Sequence, residues 1–359
     1  MIGSLRHGLR SVAALGLPRW LATFAAVVGV LLVLMLVAGA PLGTAAAGFL
    51  DGAFGGRRFA YLMATLSRAT LIVGMAVSAL LSLRAGLFNI GGEGQLVAGG
   101  LVSALVALAL PGPPLVVLAA AIAAGMAAGA GWAVLAGVLE LRAGVPLLVG
   151  SLLLNFPIRS LASYLVAHPF RDVPSGMVQS PLVPQATWLP LLPGVRLDIG
   201  VLVIVLVAVA AVVYAGRTVH GYHARLHGLA PEFARATGLP VAALTLQTLA
   251  LSGAVAGLCG ALAVFGIHHR YVDGMLVQPL YAWTGIMAVL LVGAVPWRVP
   301  FAGLLFAALE TGAAGMERAT QVPKEIAVVM QAVIILLCAG RAVAGTGTLA
   351  PPDEGGGDG

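Results

Sequence analysis

Residues 87–100 read LFNIGGEGQLVAGG, and apolar sequence lies on both sides of them. Asn89, Glu93 and Gln95 are threaded here through Gly91, Gly92 and Gly94, in a chain that is otherwise almost entirely hydrocarbon. Of the 359 residues, 60% are hydrophobic and 9% charged, against about 25% charged in a soluble domain. The reading is therefore an all-α, polytopic membrane bundle, because a chain in lipid must satisfy its backbone groups internally and a helix does so within one segment. A nucleic-acid partner is excluded: the net charge of +6 is scattered, and no basic run reaches the length of a binding patch.

Working outward, apolar runs predict about ten transmembrane helices of about 20 residues each. They lie near 20–40, 59–83, 88–110, 114–138, 145–167, 198–215, 241–266, 280–297, 300–316 and 325–340, with a broken or re-entrant segment near 88–95. The basic start followed by LATFAAVVGVLLVLMLVAGA imitates a secretory signal. Its apolar run is longer than the 7–15 residues of a signal core, so it reads as the first span. The domain plan is a cytoplasmic segment 1–19, a transmembrane domain 20–343 and a disordered Gly- and Asp-rich tail 344–359. Two loops interrupt the domain, a Pro-rich outer one at 168–197 and a cytoplasmic one at 216–240.

Orientation rests on the basic residues of the loops. With the N-terminus inside, the inner side collects Arg6, Arg10, Arg19, Arg84, Arg142, Arg217, Arg225, Arg235, Arg298 and Arg341. The outer side collects Arg57, Arg58, Arg171, Arg196, Arg270, Arg318 and Lys324. Ten against seven favours both termini in the cytoplasm.

Small residues recur every four positions at Gly125, Gly129, Ala133 and Gly137, and again at Gly253, Gly257 and Ala261. That spacing puts each set on one helix face, and small faces let helix backbones approach closely in lipid. Cys259 and Cys338 sit in apolar runs and read as small hydrophobes. No metal site is expected.

A carboxylate at the centre of a spanning helix costs about 2.5–3.5 kcal/mol, and such groups usually face the bundle interior. Glu93 and its glycines thus read either as part of a translocation path or as a satisfied buried network. Irregular backbone at membrane depth is tolerated only where it is buried in protein or lines a cavity. Arg68, Arg159 and Glu310 also fall within spans, roughly 16–22 Å deep at 1.5 Å per residue, so Glu310 is a candidate partner for either arginine. Asn155 beside Pro157 marks a second irregular segment, because proline kinks a helix. Phe156 and Trp283 are candidate stacking groups, although aromatics at such positions more often face lipid or another helix.

In the 216–240 loop, Pro231 suits a first helical position. Glu232 follows in the first turn, where the helix dipole favours negative charge, and Gly238 can stop the helix. His220, His223 and His227 read as part of a solvated loop rather than a metal face. A phosphate-binding loop needs G-x-x-x-x-G-K-[ST]. The single lysine, Lys324 in TQVPKEIA, does not supply it, so the chain is not expected to hydrolyse ATP.

Glu232-Phe233-Ala234, then three residues, then Gly238, resembles the cytoplasmic E-A-A…G loop of ABC-importer permeases, with Phe233 where that pattern has Ala. The resemblance implies that Glu232, Phe233, Ala234 and Gly238 couple to an ATPase. GLFNIGGEGQ, VPLLVGSLLLNF, LSGAVAGLCGALAVFG and the stretch from Thr284 to Ala313 extend the likeness to roughly residues 60–340. They are similar to the permease branch of the branched-chain amino acid and ribose importers, and FNIGGEGQ is similar to its nucleoside-type members. What this implies is a bacterial cytoplasmic-membrane subunit that imports nucleosides, purine nucleosides foremost, by alternating access. Its partners would be an ATPase subunit with two nucleotide-binding domains, a second homologous permease, a substrate-binding lipoprotein and the lipid bilayer. The partner ATPase would bind ATP and Mg, and this chain would hold no cofactor. Asn89, Gly91, Gly92, Glu93 and Gln95, with Asn155, would border the substrate path. The competing readings are a sugar or branched-chain amino acid as cargo, or a proton-coupled secondary transporter using Glu93. An intramembrane enzyme lacks paired carboxylates, metal-ligand spacing or a Ser/His arrangement.

Overall fold

The computed structural model describes residues 41–56, 59–320, 325 and 329. The expected first span and the segments 1–19 and 344–359 lie outside these residues, as does the last expected span apart from Glu325 and Val329. Among the described residues the secondary structure is helical, with β pairing limited to two isolated bridges. Among the same residues, seven helices are long and apolar enough to cross a membrane, the one over 147–167 counted whole, and Tyr281–Leu291 is a shorter apolar one.

The chain forms two compact units. The smaller combines 1–53 with 310–359. It contains most of α1, Leu42–Phe54, which the sequence reading left as a connection. Gly48 and Gly52 lie against Gly315: an added Cβ on Gly52 or Gly315 would strike backbone, and one on Gly48 the Ala319 side chain.

The larger unit, Phe54–Leu309, carries the site. Its helices are α2 Ala60–Arg84, α3 Gly92–Ala109, α4 Pro114–Ala143, α5 Leu147–Leu153, α6 Asn155–Ala167 and α7 Gly200–Arg217. They are followed by α8 Val219–Leu229, α9 Pro231–Ala236, α10 Val241–Leu262 and α11 Tyr281–Leu291, and then by the start of α12, Val299–Thr320. Pro114 opens α4 at a position where its missing N–H has no intrahelical partner to lose. Gly144, at φ 67°, closes α4 in the left-handed region that favours glycine.

The core is backbone on backbone. The two predicted small faces meet each other: a Cβ on Gly253 would strike the Gly129 carbonyl, and one on Gly257 the Gly125 carbonyl. The same helix also receives α3, where a Cβ on Gly99 would strike Gly257 and one on Gly260 the Leu96 carbonyl. With no hydrophobic drive between helices in lipid, this close approach supplies the dispersion contacts that hold them. Ser78 of α2 and Ser252 of α10 add a reciprocal pair, each hydroxyl donating to the other's carbonyl at 2.8 and 2.9 Å.

Two expectations are corrected. Within 216–240 the helix expected from Pro231 is present as α9, but a second helix, α8, precedes it, so the histidines sit on a helix rather than in a loop. Thr218 caps α8 by accepting from the Gly221 N–H at 3.0 Å. The break near 88–95 is not inside a span: residues 85–91 connect α2 to α3, and Glu93 belongs to the first turn of α3. The span that is broken is 145–167, between α5 and α6. Pro157 is the cause, because its ring excludes the carbonyl four residues back, which is Leu153, the last residue of α5.

Candidate functional site

The first turn of a helix leaves N–H groups without intrahelical partners, and α3 begins inside the bundle, where no bulk water can serve them. The polar residues of 89–95 answer that need. Asn89 Oδ1 accepts from the Gly91 N–H at 3.0 Å and from Gln95 Nε2 at 3.1 Å. Asn155, at the helix break, accepts from the Gly94 N–H at 2.8 Å and donates from Nδ2 to the Ile90 carbonyl at 3.2 Å. Ser151 Oγ accepts from the Ile90 N–H at 3.1 Å. The Leu154 carbonyl, at the break, receives Trp132 Nε1–H at 3.2 Å. Two irregular segments thus satisfy each other.

The glycines are there for space. A Cβ on Gly94 would sit 2.8 Å from Asn155 Oδ1 and 3.1 Å from Trp132 Nε1. One on Gly91 would sit 3.0 Å from both the Asn89 and Gln95 side chains. Gly92 has more room, with Met75 Cε 3.2 Å from the added carbon. Asn89, Glu93, Gln95 and Asn155 are all buried. The six residues assigned to a path therefore form one cluster, and its hydrogen bonds are made within the protein. Beside Asn89 and Gly92 a void of only about 10 Å³ remains, bordered by Ser78 and Ser252, which is close to the room a single water needs.

Glu93 leaves this cluster on its far side and pairs with Arg159 Nη1 at 3.2 Å. Glu93 is thus held by Arg159 of α6, one of the two arginines considered for Glu310. The carboxylate also lies favourably at the positive end of α3. Arg159 faces an open cavity of about 670 Å³ between α6 and the 271–278 turn. Its walls include Phe156, Ser163, Tyr164, Tyr271, Asp273 and Gln278. Ser163 donates to Asp273 at 3.1 Å, and Tyr164 stacks on His168 with ring centres 4.7 Å apart. Burial, and then the Asp273 carboxylate, push the Tyr271 phenol up, so it stays a neutral donor. Sequence reasoning missed this cavity. Arg159 and Phe156 had been singled out, but the approach of 271–278 to α6 has no local signal.

At the opposite end, α9 presents Glu232, Phe233 and Arg235 to the outside, with Glu232 accepting from Arg235 at 2.7 Å. Ala234 is fully buried. Gly238 adopts φ 78° with open space where a Cβ would sit, so conformation rather than space calls for glycine. Helix α8 packs backbone to backbone on the turn that ends α2: a Cβ on Gly228 would lie 2.8 Å from the Gly86 nitrogen. Arg84 Nη2 donates to the Ala215 carbonyl at 3.1 Å, tying the same turn to α7. His227 has a buried Nδ1 without a hydrogen-bond partner. Burial, and then the Arg235 charge, lower its pKa against an opposing pull from Glu140.

Residues 61–339 match the family described as the branched-chain amino acid transport system permease component. The chain is 32% identical to a glucose ABC transporter permease of Haloferax volcanii, over 83% of each chain. It is 28% identical to a guanosine ABC transporter permease of Bacillus subtilis, over 85% of this chain and 88% of the relative. A nucleoside ABC transporter permease of Lactococcus lactis is 27% identical, over 77% of this chain and 78% of the relative.

Proposed function

Because this chain belongs to the family of branched-chain amino acid transport system permease components, we propose that it is the membrane subunit of an ATP-driven importer whose cargo is a nucleoside. It is a multi-pass ABC transporter permease, a transport component that works with an ATPase. Two of the relatives above are named for guanosine or nucleosides, and they match 85% and 77% of this chain. The glucose permease relative favours a sugar as the second reading.

The observation that carries the coupling role is the mechanical path from α9 to the polar cluster. Phe233 and Glu232 stand out for a partner, and the buried Ala234 ties α9 to the bundle. Gly228 of α8 rests on the turn at Arg84–Gly86. That turn continues directly into residues 85–91, whose last members are capped by Asn89 and Asn155. When a partner ATPase binds ATP and Mg and closes, a push on α9 would move α8 and the turn together, because packed backbone transmits displacement rather than absorbing it. The cap network would then shift, opening the path that is closed beside Asn89.

The test is Glu232→Arg in the assembled transporter. ATP-driven uptake of guanosine should fall at least about tenfold, because like charge at a docking rim costs several kcal/mol, while the chain still inserts and co-purifies with its permease partner. Unchanged uptake would remove α9 as the coupling element.

A further inference from the structure

The cavity beside Arg159 lies outside the polar cluster and is joined to it through the Glu93–Arg159 pair. Its chemistry selects a ligand. At about 670 Å³ it falls in the range of small-molecule sites. One wall carries a base, Arg159, whose side chain is 44% exposed although one of its donors is taken by Glu93. A guanidinium has five N–H donors in all. The other wall carries an acid, Asp273, which accepts a bond from Ser163 and remains exposed. A carboxylate offers about four acceptor positions, enough for two adjacent hydroxyls at once. The lining also carries flat apolar faces: Phe156, and Tyr164 stacked on the His168 ring. Gln278 adds an amide that can both donate and accept.

A site with one acid and one base in the open repels neither a cation nor an anion outright, but it pairs fully with neither. It suits a neutral solute with a vicinal diol, carbonyl or ring acceptors, and a face to lay on an aromatic. We propose that this cavity is a receiving subsite for such a diol-bearing solute. Asp273 accepts from the diol, Arg159 donates to the acceptor end, and Phe156 and Tyr164 bear the flat face. A nucleoside or a sugar ring would fit this chemistry, and the proposal rests on the transport reading above. Because Arg159 also holds Glu93, an occupied subsite would pull on the first turn of α3 from the end opposite to α9.

The experiment uses the assembled transporter in proteoliposomes with its binding protein and ATPase, measuring ATP-driven uptake of guanosine and, separately, of D-glucose. For the solute that the wild type carries, Asp273→Asn should raise KM at least about tenfold, since it removes hydrogen bonds to a charged acceptor. Asp273→Glu, which keeps the carboxylate, should stay within about threefold of wild type. Where guanosine is carried, its advantage over 2′,3′-dideoxyguanosine as a competitor should shrink at least about fivefold in Asp273→Asn, because the site that recognises the hydroxyls is lost. Asp273 is exposed, so the substitution does not threaten folding. Tyr164→Leu, also at an exposed position, should raise KM for the carried solute. An unchanged KM in Asp273→Asn, or equal impairment by Asn and Glu, overturns the subsite and leaves the transport reading standing. Wild-type uptake of neither solute overturns the cargo reading and the subsite with it.

Discussion

At the scale of single residues, the polar stretch at 89–95 is a helix start placed in a medium without water. Asn155 replaces the solvent that would otherwise serve the Gly94 N–H and the Ile90 carbonyl. Removing it leaves both groups buried and unpaired, at about 1–3 kcal/mol for each orphaned group. Asn155→Ala should therefore lower the thermal unfolding midpoint of the detergent-purified chain well beyond Asn89→Ser, which keeps an acceptor. Equal midpoints for wild type and Asn155→Ala would refute the capping role. His227 makes a different prediction. Its folded pKa lies below the unfolded value because burial and Arg235 disfavour the cation. The unfolded chain then binds more protons, so the associated stability is present above the unfolded pKa and is lost as pH falls through the folded one. His227→Gln should flatten the loss of stability between about pH 7 and pH 5, read as unfolding midpoint against pH.

At the scale of elements, close packing needs both partners to be small at the same level. An added Cβ on Gly257 would strike α4 backbone at Gly125, and Gly257 is itself what a Cβ on Gly99 of α3 would strike. Neither can give way as a side chain can. Gly257→Ala should cost about 1–3 kcal/mol by overpacking, whereas Gly131→Ala, with open space around it, should be nearly neutral. A comparison of unfolding midpoints separates the two. The spacing of small residues announced these faces, but not that α3 would share Gly257. The α5–α6 break was legible in Pro157. The α8 helix was not: Gly221 and Gly228 argue against a helix locally. The structure explains them as contact points, Gly221 against the Tyr214 carbonyl and Gly228 against the turn at Arg84–Gly86. Helix α1 falls between the first two expected spans and is too short to read as a span itself; Gly48 and Gly52 serve contact with Gly315.

At the scale of the whole molecule, the exposed Glu232, Phe233 and Arg235 on α9 call for another chain. A mild-detergent pull-down from native membranes should bring down an ATPase carrying phosphate-binding loops, together with a second permease. Recovery of this chain alone from membranes that still import would sink the assembly. The same preparation, run with Phe233→Asp, should lose the ATPase and keep the permease partner. An exposed aromatic contributes to docking only if it is desolvated there.

The sequence alone determined the medium and the class. A chain with 60% hydrophobic residues and about ten apolar runs reads as a helical membrane bundle, and the resemblance of its motifs to a known family pointed to a permease. It also located the polar residues that matter, because an Asn or a Glu in lipid cannot be incidental. Only the tertiary structure decided what those residues do. Asn89 and Asn155 are 66 positions apart, and nothing local says that one caps the same turn as the other. Whether Glu93 faces an empty path or an arginine depends on where α6 lies. The cavity walls come from α6 and the 271–278 turn, which meet only after the glycine faces of α3, α4 and α10 have closed on one another. Hydrogen-bond capacity is a property of a residue. The partner that fills it is a property of the fold.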